Sequence, residues 1–289
     1  VGQSRTGGDV TPHRLGIAGL GVTSAAYLQT LAASDAVVIT AVADLDAARA
    51  RSVADGLPSA RVMTLAELLA ADEVDTVLNL TTPASHAEIA LGAIAQGKQV
   101  YGEKPLAVTL AEGRSILAAA THAGVRVGSA PDTCIPVLVD THVTGVLEHD
   151  SGALSTITMS FDAAATVRSP LEVYGTEGTL AVGDPDTFDA PTGLRRANDG
   201  SFHPLDPLAG YVDGTRGIGL VDQIRAPRRT AARANGGLAL HVLDVMESLQ
   251  RAASEGRRVD ITTAADRPAS VPLTPRAEWL GAVHEGRRV

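Results

Sequence analysis

From residue 14 to residue 130, short apolar runs alternate with stretches whose apolar positions recur every three or four residues. Arg14–Ala18 (RLGIA), Ala36–Ala43 (AVVITAVA), Thr76–Leu80 (TVLNL), Gln99–Gly102 and Val125–Ala130 have the length and apolar continuity of strands buried on both faces. Arg61–Met63 adds a short strand. Between them Ala25–Ala33, Leu45–Asp55, Leu65–Ala70 and Leu110–Ala123 read as helices. So does a segment begun by His86, with a face through Ile89, Ala90, Ala93 and Ile94 and a stop at Gly97. The alternation predicts an α/β unit, a doubly wound parallel sheet with helices on both faces.

After Pro131-Asp132-Thr133-Cys134 the period changes to two. Val137–Glu148 alternates through Val137, Val139, Thr141, Val143 and Leu147, turns at His149-Asp150-Ser151-Gly152, and returns as Ala153–Phe161. That is an antiparallel hairpin, long enough to join a larger sheet. Leu171–Leu180 holds another strand–turn–strand, whereas 184–215, rich in Asp, Pro and Gly, shows no assignable pattern. Gly217–Arg225 and Gly237–Glu255 predict helices and Val259–Thr262 a last strand. The expected organisation is a loose leader (1–12), a doubly wound domain (13–134), a second domain with an open, mostly antiparallel sheet (135–267), and an extended tail (268–289).

Composition narrows the function. A net charge of −9 over 289 residues lacks the basic stripe of a nucleic-acid surface. No apolar run reaches the roughly 18–20 residues of a bilayer span, and no secretory signal opens the chain. The lone cysteine, Cys134, excludes an intrachain disulfide framework and fits a reducing cytoplasm. His122, His142, His149, His203, His241 and His284 form no metal-ligand spacing, so no metal site is expected; His241, between Leu240 and Val242, suits a packing role. Neither a G-x-S-x-G elbow nor a P-loop occurs.

The chemistry-bearing residues stand at strand exits. The first strand runs into Gly19-Leu20-Gly21-Val22-Thr23-Ser24, a G-x-G-x-x-S form of the dinucleotide fingerprint. Gly19 permits the tight turn, Gly21 lets backbone approach a pyrophosphate, and the helix start offers free N–H groups. A purely structural glycine turn is the alternative. The second strand ends on Asp44, 25 positions beyond Gly19, near the spacing of a carboxylate that bonds the ribose 2′-OH. A carboxylate there repels a 2′-phosphate and favours NAD over NADP; alternatively, or in addition, Asp44 caps the next helix. The fourth strand leaves into Thr81-Thr82-Pro83, with His86 either a site residue or a surface or capping one. The fifth gives out at Glu103-Lys104-Pro105. A lysine at this sheet edge can stabilise a developing alkoxide or be a solvated neighbour of its glutamate.

Together the glycine loop, Asp44, Thr81-Thr82-Pro83 with His86, and above all Glu103-Lys104-Pro105 resemble the Gfo/Idh/MocA family (glucose-fructose oxidoreductase, inositol dehydrogenase, rhizopine catabolism) over residues 14–130. Tyr174-Gly175-Thr176-Glu177-Gly178-Thr179 resembles part of that family's second domain. The resemblance implies a Rossmann domain followed by an antiparallel-sheet domain. It implies an NAD(P)-dependent oxidoreductase that passes hydride between nicotinamide and a carbinol carbon of a sugar, polyol or related compound. Gly19, Gly21, Val22 and Thr23 would hold the pyrophosphate, Asp44 the adenosine ribose, and Thr81, Thr82, Pro83 and His86 the nicotinamide half. Glu103 would help hold the cofactor site, and Lys104 would contact the reacting hydroxyl as the catalytic residue, before a cis peptide to Pro105. A homodimer or homotetramer is also implied.

One part of the family pattern is missing. Between the last Rossmann strand and the first hairpin the family carries a glycine-rich segment and an Asp-x-x-x-His pair whose histidine accepts the proton. Here Cys134 passes directly to Ile135, and a smaller deficit falls at Ala226-Pro227. Either a mobile active-site segment is omitted between Cys134 and Ile135, or the protein is a catalytically inactive dinucleotide-binding sensor or regulator. The first reading is favoured, because four residues give little chain to travel between two domains.

Overall fold

Strands without a polar face must be covered on both sides, and the chain meets that demand with helices from both of its halves. The computed structural model describes residues 12–129, 142–160, 163, 166–167, 169–185, 190–214, 216–226 and 232–280. Residues 1–11 of the expected leader, Phe161, the strand start at 137–141, the suspected deficit at 134–135, Pro227 of the second one, and the end of the tail lie outside them.

Strands β1 (His13–Ala18), β2 (Val37–Ala43), β3 (Arg61–Val62), β4 (Thr76–Asn79), β5 (Gln99–Gly102) and β6 (Val127–Ser129) form one sheet. Every pairing is parallel and the order is β3-β2-β1-β4-β5-β6. The order reverses between β1 and β4, which opens a crevice beyond their carboxyl ends, where such sheets bind ligands. Helices α1 (Ser24–Ala32), α2 (Ala47–Ala54), α3 (Leu65–Ala70), α4 (Pro83–Ala95) and α5 (Leu110–Ala123) make the crossovers. Thr64 with Glu67 and Thr109 with Glu112 form capping boxes that start α3 and α5. Adjacent strand residues serve opposite faces. Val77 joins Ile89, Ile116 and Leu243 on one side, and Leu78 joins Tyr27, Leu31, Leu220 and Trp279 on the other. Lys98 is buried and donates to the carbonyls of Ala71 (2.6 Å) and Val74 (2.9 Å), which ties the α3–β4 connection to the start of β5.

The second half supplies an antiparallel hairpin, β7 (His142–Glu148) with β8 (Leu154–Ser160), and a four-stranded antiparallel sheet. That sheet comprises β9 (Leu171–Gly175), β10 (Gly178–Val182), β11 (Thr192–Arg196) and β12 (His203–Leu205), in the order β12-β11-β10-β9. Among the described residues the hairpin is a sheet of its own. Strands β11 and β12 lie in the patternless 184–215 stretch; they are short, and β12 is exposed throughout, so no apolar alternation marks it. Helices α6 (Ile218–Arg225) and α7 (Gly236–Glu255) pack on the parallel sheet: Leu220 belongs to one core and Leu243 to the other. A Cβ at Gly113 of α5 would lie 2.8 Å from Leu240 of α7, so glycine permits that approach.

Two expectations are corrected here. Val259–Thr262 is not a strand. The fully buried Asp244 carboxylate of α7 accepts from the Thr262 N–H (2.8 Å), the Thr262 hydroxyl (2.9 Å) and the Thr263 N–H (2.8 Å), so a side chain takes donors a ladder would have used. His241 of α7 adds a bond to the Thr263 hydroxyl. Nor is 268–289 simply an extended tail. Pro272 and Thr274 bridge to Ala209 and Tyr211, and α8 (Arg276–Leu280) follows. The reason is Trp279, whose indole is 1% exposed against the α1 face of the sheet and donates to the Val212 carbonyl at 2.8 Å. No helix among the described residues is long and apolar enough to cross a membrane.

Burial opposes ionisation of Asp244, but its bonds to Thr262 and Thr263 outweigh that and hold the carboxyl below its usual range. A depressed carboxyl stabilises the fold fully above its unfolded value of about 3.9, and less as pH falls through the lower native value. In urea titrations from pH 3 to 7, Asp244→Asn is expected to lose about 1.5–3 kcal/mol at neutral pH and to show a flatter acid-side dependence than the wild type. Trp279→Ala is expected to cost about 3–5 kcal/mol in the same assay.

Candidate functional site

At the carboxyl end of β1, Gly19 has φ +89°, and a Cβ there would sit 2.7 Å from the Leu80 carbonyl oxygen. Only glycine fits. Gly21 is exposed, and a Cβ on it would meet no protein atom within 4 Å, so the outer side of the loop stays open to an approaching group. The α1 N-cap, Thr23, makes no side-chain cap bond, and the first turn carries no acidic residue. The helix start therefore keeps free N–H groups and a positive dipole end, which is what a pyrophosphate needs. Val22 and Thr23 are both exposed there. Ser24, at the third position of the fingerprint, is buried and donates to the Gly21 carbonyl at 2.7 Å, so it fastens the loop.

Asp44 ends β2 one strand away. Its carboxylate accepts from the Leu20 N–H (2.7 Å) and the Asp46 N–H (2.8 Å), which ties the glycine loop to the strand exit. The cap of α2 is Asp46, which accepts from the Ala48 and Arg49 N–H groups, so the capping alternative for Asp44 is corrected. A carboxylate offers about four acceptor positions, so a hydroxyl pair would take the two that the exposed Arg49 side chain meets at long range. The Arg49 guanidinium lies 3.4 Å from both of its oxygens. Together the open glycine turn, the uncapped helix start and this carboxylate fit a dinucleotide.

Beyond β4, the buried Asn79 side chain accepts from the Thr81 hydroxyl (2.6 Å) and N–H (3.3 Å) and donates to the His86 carbonyl (3.3 Å). Thr82 is the α4 N-cap and Pro83 the first helical residue, where proline suits helix geometry. The helix thus starts at Pro83 rather than at His86, and His86 is not a surface residue. It is 2% exposed, with Nδ1 2.7 Å from the Pro105 carbonyl and Nε2 3.0 Å from the Thr81 carbonyl. It braces the β4 and β5 exits from beneath. The Lys104–Pro105 peptide is cis.

Glu103, 6% exposed, is the polar hub of this edge. Its backbone N–H donates to the Asn79 carbonyl (2.9 Å), and its own carbonyl accepts from the Ser129 hydroxyl (3.4 Å). The carboxylate accepts from the Tyr27 hydroxyl of α1 (2.8 Å) and the Arg216 guanidinium (3.3 Å), and Oε2 lies 3.3 Å from the Lys104 N–H. Burial and the nearby Glu103 charge push the Tyr27 hydroxyl far above its ordinary value, so it remains a neutral donor. Lys104 follows, partly buried at the carboxyl end of β5. Gly19, Gly21, Asp44, Thr81–Pro83 and Lys104 thus share one edge of the sheet. The sequence carries no signal for Tyr27, Asn79 or Arg216: the first reads as an apolar helix position, the second as part of a strand, and the third lies 113 positions from Glu103. Among the described residues no group of three or more His, Cys, Asp or Glu could hold a metal ion.

Residues 13–130 match the model of the oxidoreductase family with an NAD-binding Rossmann fold (Gfo/Idh/MocA), and residues 94–181 match the Gfo/Idh/MocA C-terminal domain. Inositol 2-dehydrogenase 3 of Saccharopolyspora erythraea is 28% identical over 76% of this chain and 59% of its own length. Inositol 2-dehydrogenase of Acidiphilium cryptum is 36% identical over 75% of this chain and 58% of its own. The chain therefore spans less than two thirds of these curated relatives. The crystal structure of an NAD binding oxidoreductase from Klebsiella pneumoniae superposes with a TM-score of 0.74 at 20% identity, covering 88% of this chain and all of that one. With both family domains matched in order and the parallel sheet in Rossmann order, this chain belongs to the Gfo/Idh/MocA oxidoreductase family.

Proposed function

We propose that the protein is an NAD-dependent oxidoreductase that moves a hydride between the nicotinamide and a carbinol carbon of a polyol or sugar, with inositols the first candidates. The observation that carries this reading is Lys104 at the β5 exit, on the same sheet edge as the open glycine turn and Asp44. The names of the two inositol dehydrogenases support the substrate class.

When bound, the dinucleotide supplies the hydride chemistry, and the protein supplies position and charge. The Gly19–Thr23 turn and the α1 start hold the pyrophosphate. Asp44 accepts from the ribose hydroxyls and disfavours a 2′-phosphate, while Arg49 beside it softens that repulsion. Thr81, Thr82 and Pro83 shape the nicotinamide half of the crevice, with His86 fixing their backbone from below. In the oxidative direction the hydroxyl proton would pass to water or to a base outside the residues named above, and Lys104 would donate to the alkoxide oxygen that remains, from which the carbonyl forms as hydride departs. The family's Asp-x-x-x-His pair has no counterpart in 130–141, so Lys104 orients and polarises the hydroxyl while the proton acceptor is left unassigned. Exposed Leu171, Val173 and Tyr174 on β9 support a homodimer or homotetramer formed through the antiparallel sheet.

Absorbance of reduced nicotinamide, followed with NAD or NADP and a panel of inositols, sugars and amino sugars, is expected to show turnover with NAD; its absence across the panel would instead support a sensor or regulator. Lys104→Ala is expected to lower kcat by about 10²–10⁴-fold with NAD affinity little changed, and unchanged turnover would sink the assignment. Asp44→Ser is expected to shift the kcat/KM ratio towards NADP; a ratio equal to that of the wild type would remove Asp44 as the discriminator.

A further inference from the structure

The Glu103 carboxylate, 8% exposed, receives a charge from outside the parallel-sheet domain, and that charge is Arg216. Arg216 reaches it from the turn before α6. Gly217, with φ +97°, makes that turn, and the Cβ position on it lies 3.4–3.5 Å from Tyr27, Thr30 and Leu31 of α1. Ile218 and Leu220 are buried beneath. The guanidinium is therefore delivered by a docked helix rather than by a loose surface arm. It shares Oε1 of Glu103 with the Tyr27 hydroxyl, while Oε2 faces the N–H of Lys104 itself.

We infer that Arg216 is a positioning residue for Lys104, acting through Glu103, an inference that rests on the role given to Lys104 above. Tyr27 offers Glu103 a neutral hydrogen bond; Arg216 offers it a countercharge. A buried carboxylate stripped of its cation is costly, so it turns towards another cation or towards solvent. Because the same carboxylate contacts the Lys104 peptide, either movement displaces the residue that meets the substrate. A displacement of about 1 Å at a reacting group can cost on the order of 10²-fold in rate.

Lysine occurs at only two positions in the 289 residues, 98 and 104. The full chain labelled with ¹³C at lysine Cε therefore gives two side-chain signals, and Lys98, buried on the far side of β5 against the Ala71 and Val74 carbonyls, reports the fold. In Arg216→Ala the Lys104 signal is expected to move while the Lys98 signal stays, with partial return in Arg216→Lys. With NAD and the best polyol of the panel, kcat is expected to fall about tenfold or more while NAD affinity holds, and added guanidinium ion at non-denaturing concentration is expected to restore part of it. If both lysine signals move in Arg216→Ala, the bulkier Arg216→Gln is read instead. A Lys104 signal identical to wild type in a folded variant overturns the inference, whatever the turnover. A moving Lys104 signal in a protein that turns nothing over upholds the positioning and sinks the functional reading alone.

Discussion

Strands β1, β4 and β5 have no side that can face water, and most of the architecture follows from that. A parallel sheet of this kind has to be roofed and floored, and its own crossover helices do only part of the work. The rest is done from far along the chain: Leu243 of α7 on one face, Leu220 of α6 and Trp279 of α8 on the other. The C-terminal half is thus part of the shell of the N-terminal sheet as well as the owner of an antiparallel sheet.

Beneath the crevice lies a layer of buried polar groups whose bonds go mostly to backbone. Asn79 holds the Thr81 turn, His86 spans the Thr81 and Pro105 carbonyls, and Glu103 joins β4, β6 and α1. Groups taken out of water without partners are expensive, so such a layer has few alternative arrangements. Its effect is to fix the backbone from which Thr81, Thr82, Pro83 and Lys104 project. Specific chemistry at the edge depends on stiffness just below it.

The parts of the fold readable from sequence are those whose cause is local. Leu65–Ala70 and Leu110–Ala123 appear with the expected bounds, because capping boxes start them and, for the second, Gly124 in a left-handed conformation stops it. The glycine loop and Asp44 are legible because the dinucleotide fingerprint prescribes their spacing. What was not legible depends on remote partners. Val259–Thr262 has the β-branched look of a strand, yet Asp244 takes its donors. His86 looks like a helix start, yet both ring nitrogens meet carbonyls on different loops. Trp279 follows a proline-rich stretch that suggests a tail, but a large apolar ring with one donor finds a core and one carbonyl. Arg216 had no visible partner until the fold brought Glu103 to it.

The lodging of Trp279 beside Tyr27 and Leu31 has a consequence for how the protein is made. The face of the sheet that carries α1 stays open until residue 279 has left the ribosome. Until then the nascent chain presents an apolar surface that residues 13–129 cannot close by themselves, which places exposure to aggregation and chaperone capture in the interval between the emergence of the sheet and that of Trp279.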